Sequence, residues 1–186
     1  MRNVVIAFAV LVLSIGVYSF KNSETEVAAR SEEAIHWMTW QEMAEKQKKQ
    51  PRKVVVDVYT EWCGWCKRMD ANTFCQPQIA KYVNQNFYAV KFDAEQKGDI
   101  VYKDKMYKFV KNGMRGYHEL AAEITRGRLS YPTIVFLDEK IEVIQSIPGY
   151  RDALEFETIA TYFGKNEHLR TPWESYQKSY KPMPKG

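Results

Sequence analysis

The sequence predicts an α/β sandwich around a mixed sheet. Three features lead to this: a buried-strand pattern at 53–60, a β-α-β order up to residue 93, and a β-β-α order from residue 133. An inserted segment near 98–127 separates the two halves.

Each element has its own local signal. Residues 32–49 read as a helix, with apolar positions at Ile35, Met38, Met43 and Ala44 joined by Trp37 and Trp40. Gln50-Pro51 ends it. Residues 53–60, Lys-Val-Val-Val-Asp-Val-Tyr-Thr, form a nearly continuous β-branched run, as expected of a strand covered on both faces. Glu61-Trp62 makes a short turn into Cys63, and the chain is helical from Cys66 to about Asn72. A second helix is expected from Gln76 or Pro77 to Asn84, with the proline in its first turn. Residues 87–93 form the next strand.

In the insertion, 100–103 and 106–110 are expected to pair as a hairpin about Asp104-Lys105, although that dipeptide is not a favoured turn. Residues 117–125 read as a helix capped by Gly127. Strands at 133–138 and 141–147 are joined tightly at Glu139-Lys140, and a helix at 151–163 ends at Gly164. Thr171-Pro172-Trp173-Glu174 is expected to be a capping box with proline at the first helical position. Trp173, Tyr176 and Tyr180 recur after it at helical spacing, a packing stripe.

Composition narrows the function classes. The chain has 186 residues, 45% hydrophobic and 14% aromatic, enough for one domain with a sizeable core. Its 27 basic and 23 acidic residues are interspersed and leave a net charge of +4, which gives no reason to expect nucleic-acid binding. The basic run at 46–53 reads as a solvated helix end and turn. Arg2 precedes an apolar run, 4–20, and charge resumes at Lys21, the layout of a secretory signal or single membrane anchor. Cleavage is the favoured outcome, before Phe20 or before Arg30. The division that follows is 1–20 signal or anchor, 21–31 linker, 32–166 folded domain and 167–186 an extension packing on it.

Export would put the three cysteines in a compartment where disulfides persist. Two form Cys63-Gly64-Trp65-Cys66 and the third is Cys75, which reads as a buried or semi-exposed bystander. Cys63 follows a strand and opens a helix, where free amides and the helix dipole favour a thiolate. Cys66 lies one turn on, so one sulfur can attack a disulfide and the other can resolve the mixed disulfide. Asp57, inside an apolar strand, is expected to be desolvated, with its pKa raised toward a range useful for proton transfer. Trp62 and Lys67 flank the dithiol, and each has an ordinary packing or surface reading beside the functional one. His36, His118 and His168 lack ligand spacing.

Residues 54–67, Val-Val-Val-Asp-Val-Tyr-Thr-Glu-Trp-Cys-Gly-Trp-Cys-Lys, resemble the active-site segment of thioredoxins. They look most like exported thioredoxin-like proteins related to the C-terminal domain of the reductase DsbD. The similarity continues through 73–79, 90–93 and 130–138 and covers about 53–163, apart from the insertion.

The resemblance implies a thioredoxin fold and a thiol–disulfide oxidoreductase with Cys63 as nucleophile and Cys66 as resolving cysteine, the two forming the redox-active disulfide. Asp57 would move the proton of Cys66. Pro132 would be cis, with Tyr131 before it pairing to substrate backbone and with Trp62, Gly64 and Trp65 lining the site. No cofactor and no metal are implied. The partners implied are exported proteins with cysteines or disulfides and a membrane electron donor of the DsbD or CcdA type. The protein would be a monomer in the bacterial periplasm or on the outer face of the inner membrane, touching the membrane only through an uncleaved N-terminus. Trp65 stands where thioredoxin has proline and leaves redox direction open. Reductase is the leading reading; oxidase or isomerase activity, a metal-binding module and a chaperone-like binding module are the alternatives.

Overall fold

The computed structural model describes residues 34–184. The signal or anchor at 1–20 and the linker at 21–31 lie outside the described residues. Strand β1 (Trp37–Met38) is followed by helix α1 (Trp40–Lys49), β2 (Val54–Tyr59), α2 (Gly64–Met69) running on into a π turn (Asp70–Phe74), α3 (Pro77–Asn86) and β3 (Tyr88–Asp93). The insertion holds β4 (Ile100–Tyr102), β5 (Lys105–Tyr107), β6 (Phe109–Asn112), β7 (Arg115–His118) and α4 (Glu119–Ile124). Then come β8 (Thr133–Leu137), β9 (Val143–Pro148), α5 (Ala153–Gly164), a short 3-10 turn (Glu167–Leu169) and α6 (Trp173–Ser179).

One sheet of five strands in the order β1-β3-β2-β8-β9 forms the middle layer. β2 pairs parallel with β3 and antiparallel with β8, which makes the sheet mixed. Alternation along β2 sends Val54, Val56 and Val58 to one face and Val55 and Asp57 to the other. The first face packs under α1 through Trp40 and Met43, and under the insertion through Ile100, Tyr102, Leu120 and Ile124. The insertion therefore completes a layer of the sandwich. The second face packs on Met69, Phe74, Ile79, Val83, Phe156 and Phe163 of α2, the π turn, α3 and α5. Phe136 is fully buried there and stacks on Phe163 at 4.6 Å. Burying a side chain of that size stabilises by about 2–3 kcal/mol.

Several elements differ from the sequence expectation. The first helix begins at Trp40 rather than residue 32. Trp37 and Met38 instead pair with Ala89 and Val90 of β3, and Thr39 caps the helix in a reciprocal box with Glu42. The insertion hairpin turns at Lys103-Asp104, both at positive φ, which moves the turn one residue back from Asp104-Lys105. Residues 109–118 form a second hairpin, and α4 starts only after it, with His118 as N-cap. The His118 ring accepts from the Leu120 amide at 3.2 Å and bonds the Gly98 carbonyl at 3.0 Å, so this buried histidine ties the insertion together.

β9 starts at Val143, not 141. Ile141 has φ of 58°, and the Asp138 carboxylate accepts from the Lys140 and Glu142 amides at 2.8 Å. The expected capping box at Thr171 is not formed. Pro172 is the N-cap, and the Thr171 hydroxyl donates to Glu167 at 3.0 Å instead. Trp173 and Tyr176 of α6 lie against Tyr162 of α5, at 5.2 and 5.0 Å between ring centroids.

Candidate active site

The end of β2 positions the dithiol. Tyr59 is the last strand residue, and the Cys63 amide closes a turn on the Thr60 carbonyl at 3.0 Å. Cys63 is the N-cap of α2, in extended backbone, and its sulfur accepts from the Cys66 amide at 3.0 Å. One helical turn on, Cys66 brings its sulfur to Cys63, and the two form a disulfide with S–S 2.04 Å. Cys63 is 5% exposed against 2% for Cys66, so Cys63 is the more accessible. A β-carbon added to Gly64 would meet nothing within 4 Å, which leaves the approach beside Cys63 open.

The Tyr131–Pro132 bond is cis. Thr133, the next residue, pairs with Val58, so Pro132 stands at the same end of the sheet as the dithiol. The Gly149 amide donates to the Pro132 carbonyl at 2.8 Å and draws in the segment after β9. Trp62 meets Tyr131 edge to face at 5.9 Å, and Trp65 meets Tyr150 at 5.4 Å. Both tryptophans stay about half exposed, at 51% and 55%. Trp62, Gly64, Trp65, Tyr131 and Pro132 thus share one end of the molecule around Cys63.

Asp57 points to the sheet face that α2 covers. It is 1% exposed, its Oδ2 accepts from Lys91 Nζ at 2.6 Å, and among the described residues its Oδ1 has no hydrogen-bond partner. Burial raises its pKa to about 6, against the opposing pull of Lys91. Lys91 also bonds Asp70 at the start of the π turn. Its ammonium lies 5.1 Å from the ring centres of Trp37 and Tyr59 and 5.3 Å from that of Phe74. Burial works to lower the Lys91 pKa, but the two carboxylates outweigh it and hold the ammonium above its ordinary range.

Cys75 lies outside this cluster, past the π turn; contrary to the expected burial it is exposed, and its thiol donates to the Ala71 carbonyl at 2.9 Å. Lys67 is exposed on α2. Sequence reasoning missed Lys91, Asp70, Tyr150 and Arg115. For Lys91 a signal existed: a lysine in the apolar run Tyr-Ala-Val-Lys-Phe, at the register of Asp57 once β2 and β3 are parallel.

The family Thioredox_DsbH, described as "Protein of unknown function, DUF255", matches residues 20–150. The chain belongs to this thioredoxin-like family. Membership, with the Cys63–Cys66 disulfide, makes it a DsbH-like, thioredoxin-type protein carrying a C-x-x-C pair. Among curated relatives, mouse "Spermatogenesis-associated protein 20" is 32% identical over 74 residues, which cover 39% of this chain and 9% of that protein. The Caenorhabditis elegans "Uncharacterized protein B0495.5" is 35% identical over 74 residues, covering 39% and 10%. The DsbH-like chain thus matches only a small part of those proteins.

Solved structures agree on the thioredoxin fold. A thioredoxin from Thermus thermophilus superposes with TM-score 0.51 at 18% identity, covering 75% of this chain and 99% of that one. The "DsbH Oxidoreductase" superposes with TM-score 0.50 at 14% identity, covering 71% and 85%. A thioredoxin-fold protein from Helicobacter pylori gives 0.50 at 16% identity, covering 79% and 91%.

Proposed function

We propose that this DsbH-like chain is an extracytoplasmic thiol–disulfide oxidoreductase that reduces disulfides in exported proteins. The observation that carries the reading is the Cys63–Cys66 pair at the end of β2, with the buried, half-satisfied Asp57 carboxylate on the face beneath α2. The apolar run at 4–20 supports export, with 32–166 as the working domain and 167–186 as its extension. The resemblance of 54–67 to DsbD-related proteins supports the reducing direction.

In the reduced enzyme the Cys63 thiolate attacks a substrate disulfide. A mixed disulfide forms, and the substrate's first sulfur leaves as a thiolate that takes a proton from water. The Cys66 thiol gives its proton to Asp57, which titration near pH 6 makes a competent acceptor. The Cys66 thiolate then attacks Cys63 Sγ and expels the second substrate thiolate. Two electrons pass to the substrate, and Cys63–Cys66 is left oxidised. An exported reductase must regain those electrons from across the membrane, which fits a dithiol donor of the DsbD or CcdA type. Trp62, Gly64, Trp65 and Tyr131 with cis-Pro132 would receive the extended substrate chain.

Cys66→Ser in the full chain blocks resolution. It should accumulate mixed disulfides at Cys63 that dithiothreitol releases, identifiable by mass spectrometry. A variant that traps nothing in vivo sinks the exchange reading. Redox titration of the wild type tests direction: a potential near that of thioredoxin, about −270 mV, is expected, and one near that of DsbA, about −120 mV, makes it an oxidase.

A further inference from the structure

The insertion supplies a cation to the substrate face. Arg115, the first residue of β7, places its guanidinium 4.3 Å from the centre of the Trp62 ring. Trp62 immediately precedes Cys63 and touches Tyr131 before the cis-proline. On the other side of the dithiol, Arg68 lies 5.2 Å from the Trp65 ring. Both arginines are exposed, and among the described residues neither forms an ion pair. Asp93 and Glu95 also act on Tyr131, and Glu61 on Asp93, but among the described residues none of the three carboxylates pairs with Arg115.

The Arg115 site is held in place. Arg115 pairs with Asn112 across the hairpin. Gly116 beside it lets the β7 backbone approach Val110 and Phe109 so closely that a β-carbon would come within 2.5 Å of the Val110 carbonyl oxygen. The His118 amide donates to the Ala94 carbonyl at 2.6 Å, just beyond β3. A guanidinium lying over a ring keeps the N–H groups of its edge free for a carboxylate.

We infer that Arg115 is a specificity-determining residue. It selects disulfide-bearing polypeptides that carry aspartate or glutamate beside the reacting cysteine. This rests on the exchange reading above. The chemistry at sulfur is unchanged: the carboxylate forms a charge-assisted hydrogen bond to Arg115 in the encounter and mixed-disulfide complexes, and leaves with the product.

The test uses the full chain, reduced and desalted, against two synthetic peptides. Each carries one intramolecular disulfide; they are identical except for glutamate or lysine flanking the first cysteine. Each rate is divided by the rate of the same peptide with dithiothreitol, which removes intrinsic reactivity. The wild type should favour the glutamate peptide by about fivefold to tenfold at about 20 mM salt, falling toward parity at about 500 mM. Arg115→Lys should keep much of the preference and Arg115→Glu should reverse it. Equal corrected rates in the wild type, or an unchanged ratio in Arg115→Glu, overturn the inference while leaving exchange intact. Reduction of neither peptide overturns the exchange reading and this inference with it. Arg115→Gln, which removes the charge, should abolish the preference and Arg68→Gln should leave the ratio; the reverse outcome overturns the inference, so the test stands even if Arg115→Glu does not fold.

Discussion

Lys91 Nζ stands 2.6 Å from one oxygen of Asp57, while the other oxygen of that buried carboxylate has no hydrogen-bond partner among the described residues. The pair is therefore incomplete, and burial wins: the Asp57 pKa rises to about 6. The folded protein binds a proton there at a pH where the unfolded chain has already lost it. The resulting cost is absent below the ordinary value of 3.8 and fully developed above about 6. Asp57→Asn should accordingly stabilise the protein at pH 8 by about 2–3 kcal/mol, the free energy that corresponds to a rise from 3.8 to about 6. It should also flatten the fall in stability between pH 4 and 6, and slow release of the mixed disulfide. Urea denaturation at acid and alkaline pH checks the first two, and an asparagine variant less stable than wild type at pH 8 contradicts the account.

Removing the other partner has the opposite sign. Lys91→Met leaves Asp57 buried without its cation, and its pKa climbs further. The variant should lose about 3 kcal/mol at pH 8, the scale for breaking a buried pair, and regain much of it at pH 5 as Asp57 protonates. Denaturation midpoints at both pH values test this. A loss that is the same at both would assign Lys91 only a packing role among Trp37, Tyr59 and Phe74.

Why this cluster was hard to read follows from its origin. Asp57 is legible because a charge within Val-Val-Val-Asp-Val breaks a buried run. The dithiol is equally legible, since its spacing is local, whereas Ser-Tyr-Pro-Thr by itself reads as an ordinary turn and a cis Pro132 follows only from the resemblance. Lys91, Asp70 and Trp37 come from three separate segments, and only the parallel β2–β3 register brings the lysine to Asp57. β1 has just two residues, and its strand character comes from pairing with β3 and not from its own periodicity. The second insertion hairpin did carry a signal, Gly113, which takes the first central position of the turn Gly113-Met114 at φ of 61°. Arg115 carried none, because nothing in its neighbourhood points to Trp62.

Gly116 offers a sharper structural test. Alanine there would press its β-carbon against the Phe109 ring and the Val110 carbonyl, a backbone atom that cannot step aside cheaply. Gly116→Ala should open the β6–β7 hairpin. Amide exchange at 109–118 should accelerate by more than about tenfold, with the β2 and β8 amides still protected. Unchanged protection at 109–118 would refute the close approach.

The first helix depends on its cap. Thr39 Oγ1 accepts from the Glu42 amide at 3.2 Å, while Glu42 takes the Thr39 amide at 2.7 Å. Thr39→Ala should cost about 1 kcal/mol in thermal or urea unfolding. Thr39→Ser should recover most of it. Equal losses in both variants would show that the methyl group, not the hydroxyl, matters.

The C-terminal segment closes another polar gap. Buried Glu157 accepts from the Tyr180 hydroxyl at 2.8 Å and from the Met183 amide at 2.6 Å. Tyr180→Phe removes one donor and should destabilise by about 1–2 kcal/mol. Calorimetry of the variant measures it, and a neutral result would mean that water replaces the hydroxyl.

The two insertion hairpins are separate two-stranded sheets, outside the five-stranded one. On the proposed mechanism the sulfur chemistry rests on β2, α2 and the turn before β8, while the turn at 113–114 and Arg115 at the start of β7 belong to a separate hairpin. Descendants of this chain can therefore change clientele without relearning how to exchange a disulfide. Grafting a differently charged tip between 112 and 116 is the corresponding route for an engineer, with the catalytic half of the molecule left as inherited.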